Sequence, residues 1–523
     1  MRRREFLGAA AATAGGIWLG GCAPRPTPVY PTQSGQPFEG DGPFPSGVGS
    51  ADPTPDGVLL WTRVDPRPDS GSGRTVEVQV ATSPVFALGT MVGTLTETAV
   101  AGRDHCVTFD VVGLDPATTY WYRFRCDGEL SPVGRTRTTP APGAGPGSLR
   151  IAAFSCQRWT QGWFTAHADL AALAEDPATD IDVVLCLGDY IYDTGYADKV
   201  LIDGRDDPVQ DARSLQDFRS KYRLYRSDPN LQAVHAAFPM INVFDNHDGL
   251  DEPGDPQAPG SLGAFDEHVP IRRTAPGRIH RRIQWGDTCD IFMTDQRQYR
   301  DPTLPESSIL GTSTEERPQI LDPNRTILGL DQRQWLMDGL SSSTAQWRLV
   351  GSQLMFWPWR TLPRFPWQPR GAGSYLNMTQ WDGYVGERLT ILDHLEARDV
   401  RDTLMVSGDS HVFSAAHVAP DVDNPASVPR VAEFGTGSIS SNNADENGYP
   451  DDEATNPFLF AVNPNHLRYL ESDRHGYVVV EMGADGATAE VRSPQTIRQP
   501  TSAVDVLARF TVDRGTQRVV RTA

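Results

Sequence analysis

The stretch DVVLCLGDYIYD (residues 182–193) carries an unbroken apolar run from Val183 to Leu187 and then turns, at Gly188-Asp189, into a polar and aromatic segment. A continuous apolar run of this kind reads as a strand buried on both faces, as in sheets covered by helices. The same texture extends on both sides of it. LRIAAFS (149–155), PMINVFDNHD (239–248), CDIFMTDQR (289–297), WRLVGSQLM (347–355) and TLMVSGDSH (403–411) are strand-like. TAHADLAALAED (165–176), LDQRQWLMDGL (330–340) and ERLTILDHLEAR (387–398) have helical spacing. Apolar strands alternating with amphipathic helices predict an α/β domain on a buried sheet over residues 149–523. Ligands of such sheets bind at the carboxyl ends of the strands, where this chain places its polar clusters. Residues 301–326 and 360–380 are expected to be long irregular loops.

Upstream the pattern differs. VLLWTRV (58–64), TVEVQVATS (75–83), HCVTFDVVGL (105–114) and TYWYRFRC (119–126) are short strands between turn residues, which predicts a small β-sandwich over 38–139. Leu114 to Tyr120, followed by Trp121-Tyr122, resembles the corner of fibronectin type III-like domains. Residues 140–148 read as a linker, because three Pro and three Gly in Pro140–Gly147 cannot continue a strand.

Of the 523 residues, 47 are Lys or Arg and 67 are Asp or Glu, a formal charge of −20. That balance argues against a nucleic-acid-binding surface and against binding to anionic membranes by charge. A phosphate substrate would have to meet a local reversal of charge, from an arginine clamp or bound cations.

Residues 1–21 read as a signal peptide, with Arg3-Arg4-Glu5-Phe6-Leu7 resembling the motif read by the twin-arginine export machinery. Leu19-Gly20-Gly21-Cys22 resembles a lipobox. Cys22 would then be the lipid attachment site, residues 22–37 a tether, and the mature protein periplasmic or extracellular, touching the membrane through its anchor alone. Cleavage without lipidation is the other reading. Removing residues 1–21 changes the charge to 44 − 66 = −22, still strongly acidic. Of the other cysteines, Cys106 and Cys126 are a candidate disulfide, with pairing and free thiols equally open. Cys186 and Cys289 sit in apolar strands and read as buried thiols.

Five strands end in residues suited to one site: Ser155-Cys156-Gln157-Arg158, Gly188-Asp189-Tyr190-Ile191-Tyr192-Asp193, Asp245-Asn246-His247-Asp248, Asp295-Gln296-Arg297-Gln298-Tyr299-Arg300 and Gly408-Asp409-Ser410-His411. Singly, an Asp after a strand is usually a turn residue, and a lone His is usually a hydrogen-bonded bystander. Together they offer the Asp, Asn, His, Cys and Tyr donors of a metal centre. Phosphate ester hydrolysis would use such a set. It needs an activated nucleophile, neutralised phosphoryl oxygens and a protonated leaving oxygen.

These motifs, with Trp381-Asp382-Gly383-Tyr384, occur in the order seen in PhoD-like alkaline phosphatases, which the whole mature chain resembles. The resemblance implies a four-layer metallophosphoesterase sandwich, similar to purple acid phosphatases, with a ferric ion (Fe3+) and calcium (Ca2+). It implies Cys156, Tyr192 and His411 on iron, Asp189 bridging iron and calcium, and Asn246 and Asp409 on the calcium side. His247 would be the proton donor, oriented by Asp248, and Arg297 the phosphate clamp. Family members commonly carry Asp-Asp-His where this chain has Asp245-Asn246-His247, which leaves the second metal's identity open. Asp382 is a further calcium ligand or a turn residue, and Arg158 a substrate contact or a surface ion pair.

The implied activity is release of phosphate from phosphate esters by metal-activated hydroxide. A phosphodiesterase or phospholipase D of the same chemistry is the alternative, and a non-catalytic binding lipoprotein is the rival outside enzymes. Phe356, Trp357, Trp359, Phe365 and Trp367 are expected either at the mouth of the site, facing an acyl chain or nucleoside, or in a packed lid. Asn463-Pro464-Asn465-His466 is a candidate cover.

Overall fold

A computed structural model describes residues 42–66, 73–195, 202–308, 311–447 and 455–523. The leader, Cys22 and the tether lie outside them.

Two sheets form the centre of residues 149–523. In the first, Leu149–Phe154, Val183–Cys186 and Pro239–Asn242 run parallel, and Tyr477–Met482 pairs antiparallel with Leu149–Phe154. In the second, Cys289–Met293, Trp347–Ser352, Thr403–Ser407 and Val431–Thr436 run parallel. Their apolar faces meet in one core that holds Ile151, Leu185 and Val478 from the first sheet with Ile291, Leu349 and Phe434 from the second. Helices close both outer faces. Leu215–Tyr225 and Pro229–Ala237 pack on the first sheet through Phe218 and Leu231, while Leu330–Ser342 and Val385–Ala397 pack on the second through Leu336 and Ile391. This is the four-layer sandwich expected. Local chemistry starts the helices where they are needed. Ser214 and Asp217 form a reciprocal capping box, and Asp228 caps a helix whose first residue is Pro229.

The amino-terminal sandwich is present, with an inner face of Val76, Val78, Val80 and Phe124 against Leu60 and Phe109. At its corner the Tyr120 hydroxyl accepts a hydrogen bond from the Asp115 amide at 2.9 Å. One of its sheets is not its own. Val48–Thr54 pairs in parallel with Pro239–Asn242, so the sandwich strands extend the catalytic sheet into a single ten-stranded one. The segment after it is also held. The amides of Gly143 and Gly145 donate to the Asp287 carboxylate at 2.9 and 3.0 Å, and that of Gly147 to Thr288 Oγ1 at 2.8 Å.

Two expectations change. Cys106 and Cys126 lie on strands of different sheets and are not joined by a disulfide, and Cys156, Cys186 and Cys289 form none either. The segments expected as irregular loops fold partly onto one another, with Thr312–Ser313, Arg360–Leu362 and Ser374–Tyr375 forming a small sheet. Among the described residues no helix is long and apolar enough to cross a membrane.

Candidate active site

Because the central strands of each sheet are parallel, their polar carboxyl-terminal turns gather at one edge of the sandwich. Gly188 lets two of them touch. Its φ is +102°, and a Cβ there would lie 2.4 Å from the Cβ of Asp245. The next residues are held in backbone conformations that side chains resist. Cys156, Asp189, Asp409 and His411 have φ of 59°, 51°, 61° and 55°. Each such residue costs about 1–2 kcal/mol in the left-handed region, a cost that persists at functional turns because the surrounding packing fixes it.

Donor atoms of Cys156, Asp189 and His411 lie within 4.8 Å of one another, and so do those of Asp189, Asp245 and Asp409. The two groups share Asp189. His411 donates from Nδ1 to the Asn442 carbonyl at 2.6 Å, which leaves Nε2 as a lone pair, 3.3 Å from the Tyr192 hydroxyl. The Asn442 amide in turn donates to Gln161 Oε1 at 2.8 Å, and the Ser440 and Ser441 amides donate to the Cys156 carbonyl.

The electrostatics of this cluster call for positive charge. Burial, and behind it the carboxylate of Asp409, push Asp245 up to about 7 against the pull of Arg297. Burial raises Asp189 as well, with Asp245 adding to it. The Cys156 thiol and the Tyr192 phenol stand well above their ordinary values, through burial first and then the Asp189 carboxylate. Asp245 Oδ2 is buried without a hydrogen-bond partner. Two buried carboxylates, Asp189 and Asp245, with the half-buried Asp409, a thiol, a phenol and an imidazole lone pair suit two cations sharing Asp189.

His247 stacks on the Tyr192 ring, with centroids 4.2 Å apart, and its side chain is one-third exposed at 34%. Burial pulls its pKa down, but Asp189 and Asp193 outweigh this and hold it above the usual histidine value. Its orienting partner differs from the expected one. His247 Nδ1 lies 2.9 Å from Asp193 Oδ1, whereas Asp248 accepts the Ile191 and Asp245 amides at 3.1 and 2.9 Å. Asp248 closes the turn, because its short side chain reaches back to the backbone before it can reach the ring.

Arg297 is buried among acceptors. Nε donates to Asp245 in a short contact, Nη1 to Asp251 at 2.8 Å, and Nη2 to Asn246 Oδ1 at 3.1 Å and Asp409 at 3.4 Å. Gln380 makes a short contact with the other Asp409 oxygen. Asp245, Asp193 and Gln380 are thus site residues not singled out from the sequence. The first two stood inside quoted motifs, whereas Gln380 had no local signal.

The other candidates belong to neither donor group. Asp382 pairs with Arg388 at 3.1 Å and accepts the Trp359 amide, away from both donor groups. Arg158 lies over the Tyr192 ring at 5.0 Å and donates to Thr194 Oγ1 at 3.0 Å. Phe356 and Trp357 are buried in the core of the second sheet, and Trp357 stacks on Trp359. Phe365 and Trp367 stack on each other on the surface, and Asn463 is tied to Arg360.

Comparison with known proteins matches residues 151–491 to the profile of the PhoD-like phosphatases and residues 31–140 to the profile of that family's N-terminal domain. The chain belongs to the PhoD-like phosphatase family. It is 32% identical over 495 residues to alkaline phosphatase D of Bacillus subtilis (strain 168), covering 90% of this chain and 80% of that protein. A solved structure described as the structure of PhoD superposes with a TM-score of 0.80 at 30% identity, covering 92% of each chain. Membership in the PhoD-like phosphatases makes this chain a phosphoric ester hydrolase of a metal-dependent family.

Proposed function

We propose that the chain is an exported alkaline phosphatase D-type hydrolase that releases phosphate from phosphate esters at a two-cation centre. The observation that carries this is the pair of donor groups sharing Asp189. Cys156, Tyr192, His411 and Asp189 would hold a ferric ion, whose preference for anionic donors fits a thiolate and a phenolate. Asp189, Asp409 and Asn246, joined by Asp245, would hold calcium through oxygen donors. When bound, the cations would supply Lewis-acid activation of water and of the phosphoryl group.

The protein's own part is positioning and proton transfer. Asp193 fixes the His247 ring through Nδ1, so that Nε2 is the atom presented to an incoming ester and can protonate the leaving oxygen. Arg297 holds Asp245 and Asp409 in place and supplies the only guanidinium touching the second donor group among the described residues. Stacking of Tyr192 on His247 couples the first donor group to the proton donor. Export through the Arg3-Arg4 leader and lipid attachment at Cys22 complete the reading, placing the enzyme outside the cytoplasmic membrane.

The test is metal content of the exported protein, with turnover of a chromogenic monoester and diester on the same sample. Iron near one per chain, calcium, and loss of turnover with chelator are expected, and Asp189→Ala should lose metal and turnover together. A folded wild-type protein that binds no metal and turns over neither ester after iron and calcium are added would overturn the reading.

A further inference from the structure

Arg297 is 1% exposed, and all three of its guanidinium nitrogens have partners. Three of its four acceptor residues, Asp245, Asn246 and Asp409, belong to the turns that build the centre. The fourth, Asp251, belongs to none of the donor groups, and its side chain is 59% exposed. It is the acceptor by which Arg297 meets solvent.

Asp251 is held there by its neighbours. Gly249, at φ +102°, packs so closely on Phe218 and Ser261 that a Cβ would lie 2.5 Å from the Ser261 Cβ. Leu250 is buried, and Glu252 Oε1 accepts the Thr303 amide at 2.7 Å. A solvent-facing carboxylate therefore stands 2.8 Å from the arginine that, among the described residues, touches the second donor group.

We propose that Asp251 is a specificity-determining residue, a charge filter that favours phosphodiesters over phosphomonoesters at this site. The inference rests on the phosphohydrolase reading above. A phosphomonoester, with a second pKa of about 6, carries two negative charges at alkaline pH, whereas a diester carries one. A phosphoryl oxygen approaching Arg297 must take the place of Asp251 or lie beside it. The repulsion from a fixed carboxylate scales with the charge that approaches, so the monoester bears twice the penalty. The carboxylate is more than half exposed, so added salt should weaken the discrimination.

The experiment compares kcat/KM for p-nitrophenyl phosphate and bis(p-nitrophenyl) phosphate in the metal-loaded wild type, Asp251→Asn and Asp251→Glu. It is run at pH 8.5 across a salt series. Removing one charge a few ångströms from a half-exposed site should raise the monoester-to-diester ratio on the order of ten-fold in Asp251→Asn. Asp251→Glu should keep the wild-type ratio. The wild-type ratio should rise with salt, as the screening length shrinks from about 10 Å at 0.1 M to about 3 Å at 1 M, while that of Asp251→Asn stays flat. Inorganic phosphate should raise the thermal midpoint of Asp251→Asn more than that of the wild type. An unchanged ratio in Asp251→Asn, or an equal loss on both esters, would overturn the filter and leave Asp251 as a prop for Arg297. Absence of turnover of both esters by the metal-loaded wild type would instead strike the phosphohydrolase reading.

Discussion

Replacing Gly188 by alanine should disable the centre far more than it destabilises the fold. The new methyl would stand 2.4 Å from the Asp245 Cβ and 2.9 Å from its amide nitrogen, at a φ of +102°. Ordinary contacts of this kind begin near 3.4 Å, so the two turns must part by about 1 Å. The left-handed backbone costs about 1 kcal/mol and the overpacking about 1–3 kcal/mol, together about 2–4 kcal/mol. With an unfolding entropy of roughly 1 kcal/mol/K for a chain this long, the thermal midpoint should fall by about 2–4 °C. Activity should fall on the order of a hundred-fold, because the 1 Å is taken between Asp189 and Asp245, where both donor groups meet. The assay is kcat/KM on a chromogenic ester, with metal content and the thermal midpoint measured on the same preparation. Gly128→Ala, at φ +87° with nothing within 4 Å of its Cβ, isolates the backbone cost and should leave activity intact. A folded Gly188→Ala protein with wild-type kcat/KM would refute the argument that this contact sets the spacing of the two turns.

Three further outcomes are expected. Asp193→Asn should lower kcat by about one to two orders of magnitude with little change in KM, whereas Asp248→Asn should act mainly on the thermal midpoint, since its oxygens serve backbone amides. Metal uptake by apoprotein should release protons and weaken as pH falls, because burial keeps the Cys156 thiol protonated until a cation displaces the proton; calorimetry in buffers of different ionisation enthalpy reads the count, and Cys156→Ser should reduce it. Burial holds the His268 imidazole down at about 4 against the pull of Asp104, so its contribution to stability is complete above about pH 6.5 and is lost as pH falls towards 4; the total is about 3 kcal/mol, and urea unfolding at pH 5 and 7 should show a smaller difference in His268→Gln than in the wild type.

The strand layers were legible because buried parallel strands are written as apolar runs, as in Val183–Cys186, and so was a spaced helix such as Leu330–Ser342, whereas Leu215–Tyr225 and Pro229–Ala237 over the first sheet lie in a polar stretch and were not read as helices. The edge at which the site gathers followed from the polar residues placed after those strands. Side-chain direction was not legible. Asp193 and Asp248 lie on either side of His247 in the sequence motifs, and only the course of the turns decides which carboxylate meets the ring. Asp245 was quoted without a role, since nothing local says that Gly188 brings it against the Asp189 turn. Gln380 reaches Asp409 from the far end of a long excursion, and the parallel pairing of Val48–Thr54 with Pro239–Asn242 joins segments with no shared local pattern. Cys106 and Cys126 look like neighbours in the chain of strands, yet consecutive strands of a sandwich often belong to opposite sheets, as these do.

The shared ten-stranded sheet also sets an order of events during synthesis. Ser50 pairs beside Pro239, so the strand Val48–Thr54 waits for a neighbour about 190 residues behind it. At about 5–20 residues per second that wait is roughly 10–40 s. Leu149–Phe154 waits longer still, for Tyr477–Met482 about 330 residues behind it. Until those partners arrive, each strand has an open edge able to pair with the wrong partner. A sheet built this way closes only after Tyr477–Met482 has emerged. That suits the folded-state export proposed for the Arg3-Arg4 leader, and it makes the interval before the last strand arrives the time when a holding chaperone would matter most.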